Sequence, residues 1–206
     1  MTLNSEKMKV SCGQGTAPAR ATIEHYLDLG LDLIPGTGLL ATVIPGAFDA
    51  WMLLLRDHGT LTLREVFEPA LHYSLHGIPV LSRIRDTIAS VSELFKTEWP
   101  TSAQVYLPGG RIPDINKLLC NPILTETWTR IIKEAESISG SREKRIDKAR
   151  GAFYRGFVAE AIDRFCREEK VLDTSGRKHG GVLSADDLAS WKASYEDPIV
   201  HDYAGL

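Results

Sequence analysis

The sequence predicts a mainly helical protein with short strands near both ends. Apolar residues recur at helical spacing through most of the chain, and helix-capping residues precede several of these stretches. Strand-like alternation is confined to the two ends. The 206 residues are 43% hydrophobic and 25% charged, which is the composition of an ordinary globular protein able to bury a sizeable core.

The first predicted elements are a short strand, Met8–Cys12, and two helices. Pro18 suits the first turn of a helix that continues to about Leu29, because a first turn leaves its amide hydrogens unpaired and proline has none. The next helix is predicted over Ala47–Leu55, directly after Pro45-Gly46.

A capping box marks the helix that follows. Thr62 precedes Glu65 by three residues, so each side chain can bond the backbone amide of the other, and the apolar face then continues to Leu75. Pro69 lies inside this stretch and predicts a kink or a break, because proline removes a helical hydrogen bond and clashes with the preceding turn.

Cap signals continue through the middle of the chain. Ser82 is predicted to cap a helix that stops at Trp99-Pro100, and Asn121-Pro122 is a cap and first-turn pair. The pattern over Arg142–Glu168 is helical again, with Gly151 and Gly156 as weak points. Between these helices, the proline- and glycine-containing segment Thr101–Leu119 predicts a structured but irregular loop.

The last elements are a short helix capped by Ser184 and Asp187, and a final strand over Asp197–Tyr203. This strand and Met8–Cys12 each need a sheet partner, because isolated strands are not stable in water. The rest of the pattern supplies no such sheet. We therefore expect 1–206 to be a single partial domain, truncated at both ends.

Apolar helical faces are wide in this sequence, notably over Ala47–Leu55, over Val66–Leu75 and around Trp128–Ile132. Left uncovered, such faces favour self-association, so we expect the isolated chain to be helical but marginally stable, self-associating or able to bind hydrophobic dye. The four tryptophans lie on or beside apolar faces and are predicted to be core residues; they are Trp51, Trp99, Trp128 and Trp191.

Charge and hydropathy argue against several partner classes. The formal net charge is -3 and the basic residues are interleaved with acids, so neither nucleic acid nor an anionic membrane surface is expected as a partner. The uncharged stretch Gly36–Phe48 is far short of the ~20 apolar residues of a membrane span. No secretory signal is present in these residues, which favours the cytoplasm, although the periplasm stays open for the intact protein.

Metal, phosphate and triad motifs are incomplete. Cys12, Cys120 and Cys166 are far apart, so neither a disulfide framework nor a zinc site is expected. His72 and His76 have helical spacing but lack the glutamate of a zinc protease, and a helix-surface role is favoured. Gly13-Gln14-Gly15 and Gly36-Thr37-Gly38 lack the rest of a phosphate loop and are interpreted as turns. We expect no cofactor, no metal and no local catalytic residue.

A set of short motifs nevertheless occurs in a characteristic order from about Lys9 to Leu206. They are Ala17-Pro18-Ala19-Arg20-Ala21-Thr22, Val43-Ile44-Pro45-Gly46-Ala47-Phe48-Asp49-Ala50-Trp51, Gly59-Thr60-Leu61-Thr62-Leu63, Pro69-Ala70, Gly77-Ile78-Pro79-Val80, Asn121-Pro122-Ile123-Leu124, Phe153-Tyr154-Arg155-Gly156, Gly180-Gly181-Val182-Leu183, Asp186-Asp187-Leu188-Ala189, Pro198-Ile199 and Asp202-Tyr203-Ala204-Gly205. In this order and spacing the set resembles the large-subunit region of the γ-glutamyltranspeptidase family of N-terminal-nucleophile hydrolases. A single motif would be weak, but the ordered set is specific.

The resemblance implies an αββα sandwich, made when a precursor cleaves itself into a large and a small subunit. In this family the new N-terminal threonine of the small subunit attacks an amide carbonyl, with its own α-amine as general base, and the acyl group passes to water or an amine. That threonine is expected beyond Leu206. The implied partners are therefore the small catalytic subunit from the same precursor and a small-molecule amide, and we expect the chain alone to be inactive.

One substrate contact can be carried over from the family. In transpeptidases an arginine four residues before the proline of the Ala-Pro-Ala motif binds the substrate α-carboxylate, and counting back from Pro18 gives Gln14. Glutamine lacks the charge and fork of guanidinium, so a contact of ~1.5–3 kcal/mol falls to ~0.5–1.5 kcal/mol. Gln14 is the predicted substrate-binding residue, with weakened γ-glutamyl specificity. The alternative is that Gln14 only occupies a turn between two glycines.

Three functions follow from these patterns. The first is a large-subunit segment of a γ-glutamyltransferase-like amidohydrolase that cleaves a small acyl or γ-glutamyl amide. The second is a true γ-glutamyl transferase whose arginine comes from elsewhere. The third is a non-catalytic helical binding or assembly module, or a truncated, inactive gene product.

Overall fold

Helices make up most of the protein. A computed structural model describes residues 8–199, 201 and 203, and all of the following elements belong to that part of the chain. The helices are α1 (Ile23–Asp28), α2 (Ala47–His58), α3 (Leu63–His76), α4 (Ser82–Thr97), α5 (Pro100–Tyr106), α6 (Pro122–Glu136), α7 (Arg142–Tyr154), α8 (Phe157–Glu168) and α9 (Ala185–Ser190). The strands are β1 (Val10–Cys12), β2 (Ile78–Pro79), β3 (Leu118–Leu119), β4 (Val171–Leu172), β5 (Lys178–His179) and β6 (Ser194–Glu196). The mainly helical class with a few short strands is confirmed.

The two end strands pair with each other. β1 and β6 run antiparallel, with Val10 opposite Glu196 and Cys12 opposite Ser194. The prediction that each end strand needs a partner from outside this chain is therefore wrong. The final strand also lies earlier than predicted: Asp197 and Pro198 follow β6 outside any strand, and part of the predicted strand, 200 and 202, lies outside the described residues.

The other strands form two further antiparallel pairs, β2 with β3 and β4 with β5. Each sheet among the described residues has only two strands. The double-sheet sandwich implied by the family resemblance is thus not established by this part of the chain, and it stays an expectation for the intact protein.

Most helix starts follow the predicted caps. Thr62 and Glu65 form the reciprocal capping box of α3, and the Asn121 side chain accepts a hydrogen bond from the amide of Leu124 at 3.1 Å. Ser82 is instead the first residue of α4, after Leu81, and its side chain makes no capping bond, so the predicted cap is wrong. The first helix begins at Ile23 rather than at Pro18, because Thr22 caps it.

Proline and glycine act differently from prediction at three places. α3 continues through Pro69 without a break, since its capping box and its packing on α6 outweigh one lost hydrogen bond. The segment Thr101–Leu119 is not a loop throughout, because Pro100 starts α5 in the first-turn position and a 3-10 turn spans Pro108–Gly110. The predicted helix Arg142–Glu168 is two helices, α7 and α8, and the junction falls at Gly156, one of its two predicted weak points.

The main core lies between α2, α3 and the helices α6 to α9. Ile131, Ile132, Ile146 and Leu188 are at most 1% exposed there. Phe48 stacks on Phe153 with ring centroids 4.7 Å apart. A second, smaller buried cluster contains Tyr26, Leu31, Leu40 and Val182. It joins residues near α1 to Val182, which follows β5 in the chain. Among the described residues, no helix has the length and apolarity needed to cross a membrane.

Candidate functional site

The predicted substrate residue lies in a tightly held loop, residues 13–20, which we call the Gln14 loop. It connects β1 to the first helix and packs against the residues that lead into α2. A Cβ atom on Gly15 would overlap the carbonyl oxygen of Ile44, and one on Gly13 would lie 2.6 Å from the Cβ of Ala50. The Ile44 amide also donates to the Thr16 carbonyl at 3.0 Å. The two glycines are therefore explained by close backbone packing.

The far end of the Gln14 loop is tied to α9 by a buried carboxylate. Asp187 Oδ1 accepts a hydrogen bond from the Ala19 amide at 2.8 Å, while Oδ2 accepts from the Ser184 amide at 2.9 Å and its hydroxyl at 2.6 Å. Burial alone would raise the pKa of Asp187, but the hydrogen bonds from Ala19 and Ser184 lower it on balance. Asp187 is thus an ionised cap that also anchors the loop.

Gln14 itself is exposed, and its side chain makes no hydrogen bond with the described residues. Its backbone is held from both sides, by the packing of Gly13 and Gly15 and by the tether at Ala19. The structure therefore places a free polar side chain on a rigid loop. Both the substrate-contact and the simple-turn interpretation of Gln14 are compatible with this placement.

Sequence reasoning missed a hydrogen-bonded network around the buried carboxylate of Asp49, near the start of α2. Asp49, 3% exposed, accepts hydrogen bonds from both Nε and Nη2 of Arg150 and from the Ala193 amide at 2.8 Å. Tyr154 donates to the Pro45 carbonyl at 2.6 Å and accepts from the Asp49 amide at 3.1 Å. Burial raises the pKa of Tyr154 to about 12, so this phenol stays neutral. The network joins α2 to α7 and to the residues before β6.

Trp51, predicted to be a core residue, instead lies on an exposed apolar surface. Trp51 is 65% exposed rather than a core residue, whereas Trp128 packs on Phe48 at 5.3 Å between ring centroids. Trp51 lines a groove of about 610 Å³ between α2, α3 and α6, which we call the apolar groove. Its other lining residues are mostly apolar: Phe48, Met52, Leu54, Leu55, His58, Gly59, Val66, Phe67, Ala70 and Trp128.

The histidine pair lies on the surface of α3. His72 and His76 are exposed, with ring centroids 4.6 Å apart. Within residues 8–199, 201 and 203, no group of three or more histidine, cysteine, aspartate or glutamate side chains is placed to hold a metal ion. The histidine pair therefore has the surface position that its sequence context favours.

The sequence as a whole decides the family. The family model for gamma-glutamyltranspeptidase matches residues 1–206, which is the entire chain. The chain belongs to the γ-glutamyltranspeptidase family. The residues that the family model matches include the ordered motifs and the Gln14 loop.

Relatives in this family include enzymes of several names. The chain is 26% identical over 203 residues to the glutathione hydrolase-like YwrD proenzyme of Bacillus subtilis (strain 168), covering 98% of this chain and 33% of YwrD. It is 26% identical to the glutathione hydrolase proenzyme of Escherichia coli (strain K12), covering 92% of this chain and 29% of that protein. The γ-glutamyltranspeptidase-family chain thus spans about a third of the length of these curated relatives.

Several solved structures have the same fold over this region. LmbA2991HD has 52% sequence identity and a TM-score of 0.93, with 97% of this chain and 34% of that chain covered. A cephalosporin acylase from Bacillus halodurans has 26% identity and a TM-score of 0.76, with 95% and 33% covered. Proteins similar to this chain thus include some named as glutathione hydrolases and one named as a cephalosporin acylase.

Proposed function

We propose that the chain is the large-subunit segment of a γ-glutamyltransferase-like amidohydrolase. The intact protein would cleave a small acyl or γ-glutamyl amide through an N-terminal threonine outside 1–206. The family match over the entire chain carries this proposal. The coverage of only about a third of relatives named proenzymes supports the placement of the nucleophile elsewhere in the polypeptide.

In this mechanism the threonine Oγ attacks the amide carbonyl while the threonine α-amine accepts the hydroxyl proton. The tetrahedral intermediate collapses, the leaving amine takes a proton and departs, and an acyl ester on the threonine remains. Water then releases the acid, or an acceptor amine takes the acyl group. The 206-residue chain alone would be inactive in this mechanism, because the nucleophile lies outside it.

The described residues would contribute a wall of the acyl pocket. The Gln14 loop is suited to this role, because packing at Gly15 and the hydrogen bond from Ala19 to Asp187 hold it in one position. A neutral Gln14 would bind a substrate α-carboxylate less tightly than arginine would. The proposed substrates therefore include small acyl amides without an α-carboxylate as well as γ-glutamyl amides.

The small subunit of the same precursor is the proposed protein partner. Trp51 is 65% exposed at the edge of an apolar groove of about 610 Å³. Exposed apolar surface of this kind is often a protein contact. Covering the groove with other residues of the intact protein would remove Trp51 from water.

The test of the substrate proposal is Gln14→Arg in the intact protein. We expect the ratio of kcat/KM for a γ-glutamyl amide to kcat/KM for an acyl amide without an α-carboxylate to rise about ten-fold, because a charged contact gains about 1.5 kcal/mol. Gln104→Arg is the matched control, since Gln104 is an exposed glutamine on α5, away from the Gln14 loop. An unchanged ratio, or the same rise in both variants, would show that Gln14 only occupies a turn.

A second candidate is a non-catalytic module, and one observation favours it. β1 and β6 pair with each other, so these residues close their two ends without another chain. Such a module would fold alone as a stable monomer. An activity assay of the purified intact polypeptide distinguishes the two functions. The amidohydrolase turns over an amide substrate, whereas the non-catalytic module does not.

A further inference from the structure

A small basic pocket lies at the opposite end of the Gln14 loop from Gln14, next to α1, α8 and β5. Its volume is about 210 Å³, several times the ~30 Å³ that one water occupies in the liquid. Six of its eleven lining residues are basic and none is acidic; the basic ones are Arg20, His25, Arg167, Lys170, Lys178 and His179. In a chain with a net charge of -3, this is a local concentration of positive charge. We call it the basic pocket.

Acidic partners compensate only part of this charge. Three of the basic side chains have one: Arg167 with Asp163 at 3.2 Å, Lys178 with Glu98 at 2.6 Å and His179 with Asp173 at 2.6 Å. Arg20 and Lys170 form no ion pair or side-chain hydrogen bond with the described residues. The charge of Arg20 contributes only the last and smallest of the effects that lower the pKa of Asp187. Two cations therefore share one concavity without a bound counter-charge.

His179 is held in the pocket wall by a buried carboxylate. Its Nδ1 is 2.6 Å from Asp173 Oδ2, and the Asp173 side chain is fully buried. Burial alone would raise the pKa of Asp173, but hydrogen bonds from Ser175 and His179 lower it on balance. The pocket wall is thus rigid as well as basic.

We propose that the basic pocket binds a compact phosphate-type oxyanion, either free or as the phosphate group of a small ester. The Arg20 guanidinium and the Lys170 ammonium are the donors that bind such oxygens best, as a planar fork and as a point charge. A doubly charged anion matches two uncompensated cations better than a single carboxylate does. Gly180 and Gly181 form part of the pocket wall, and Gly181 packs closely against Cys166.

The experiment is isothermal titration of the intact protein with inorganic phosphate, in a chloride background of matched ionic strength. We expect one saturable site, with Kd raised about ten-fold in Arg20→Gln and in Lys170→Gln. Arg164→Gln is the matched control, because Arg164 is an exposed arginine of α8 that does not line the pocket. We expect this control to bind phosphate like the wild type. Lys170 is exposed in a connection, so its variant keeps the test valid if the Arg20 variant fails to fold.

Titration with glycerol phosphate distinguishes the source of the anion. Binding of both compounds assigns the site to a phosphate ester group, and binding of phosphate alone assigns it to the free ion. The proposal is overturned if phosphate does not saturate, if neither variant weakens binding, or if Arg164→Gln weakens binding as much as they do. Each outcome is independent of amide turnover, so failure of phosphate binding leaves the proposed amidohydrolase function in place.

Discussion

Replacing Asp187 by asparagine should remove the anchor of the Gln14 loop. The carboxylate, 6% exposed, accepts three hydrogen bonds, from the Ala19 amide and from the amide and hydroxyl of Ser184. Asparagine has one carbonyl oxygen and an amide group that would face a donor. It therefore leaves at least one backbone amide unpaired and weakens the remaining bonds, at a cost of about 2–4 kcal/mol in the free energy of unfolding.

Urea unfolding followed by circular dichroism measures this loss of free energy, and thermal unfolding measures the accompanying change in melting temperature. For a chain of this length the melting temperature should fall by about 5–15 °C. Asp186→Asn is the matched control, because Asp186 is the exposed neighbour in the same first turn of α9, and it should change stability by no more than about 0.5 kcal/mol. Wild-type stability of Asp187→Asn would refute the anchor. An equal loss in both would assign the effect to helix charge instead.

The pH dependence of this difference has a definite sign. The pKa of Asp187 is lowered in the folded protein, so its carboxylate stabilises the fold above the unfolded value of about 3.9. That contribution is lost as the pH falls through the folded pKa. The stability gap between wild type and Asp187→Asn should therefore be full at pH 7 and shrink below about pH 4. A gap that is constant over this range would contradict an ionised anchor.

Two further predictions concern packing. Gly15→Ala should lower the free energy of unfolding by about 3 kcal/mol or more, because its Cβ would meet the Ile44 carbonyl oxygen, whereas Gly151→Ala meets no atom within 4 Å and should be neutral or stabilising by up to about 1 kcal/mol. Similar unfolding curves for the two variants would contradict the close packing. Trp51→Gln should reduce binding of a hydrophobic dye to the isolated chain, while Leu33→Gln, at a residue 83% exposed but away from the apolar groove, should not. Equal dye fluorescence in the two variants would show that the groove is not the dye-binding surface.

Two helix caps that depend only on neighbouring residues are predictable from the sequence. The capping box of Thr62 and Glu65 and the cap at Asn121 are complete within four residues, and both occur as predicted. The sequence marks Gly156 only as a weak point in a helix, because whether a glycine ends a helix depends on packing. Its Cβ would lie 2.8 Å from the Ala152 carbonyl oxygen, which only the folded chain reveals.

Features that depend on distant residues cannot be predicted in this way. β1 and β6 pair across almost the whole length of the chain, and no local sequence signal marks this pairing. The sequence pattern therefore leaves the two end strands without a partner. Asp49 and Arg150 are 101 residues apart, and the ion pair is visible in the sequence only as one acidic residue in an apolar helix. Gln14 is a candidate site residue only because it lies four residues before Pro18 of the family motif. Without the family resemblance, its position between two glycines would indicate a turn residue.

The most direct test of the proposed function is N-terminal sequencing and mass measurement of the intact protein after purification. The proposed function predicts two subunits from one precursor, with threonine as the first residue of the smaller one. After brief incubation with an amide substrate, that subunit should gain the mass of one acyl group. An uncleaved polypeptide that still turns over the amide, or a small subunit that begins with another residue, would contradict the proposal.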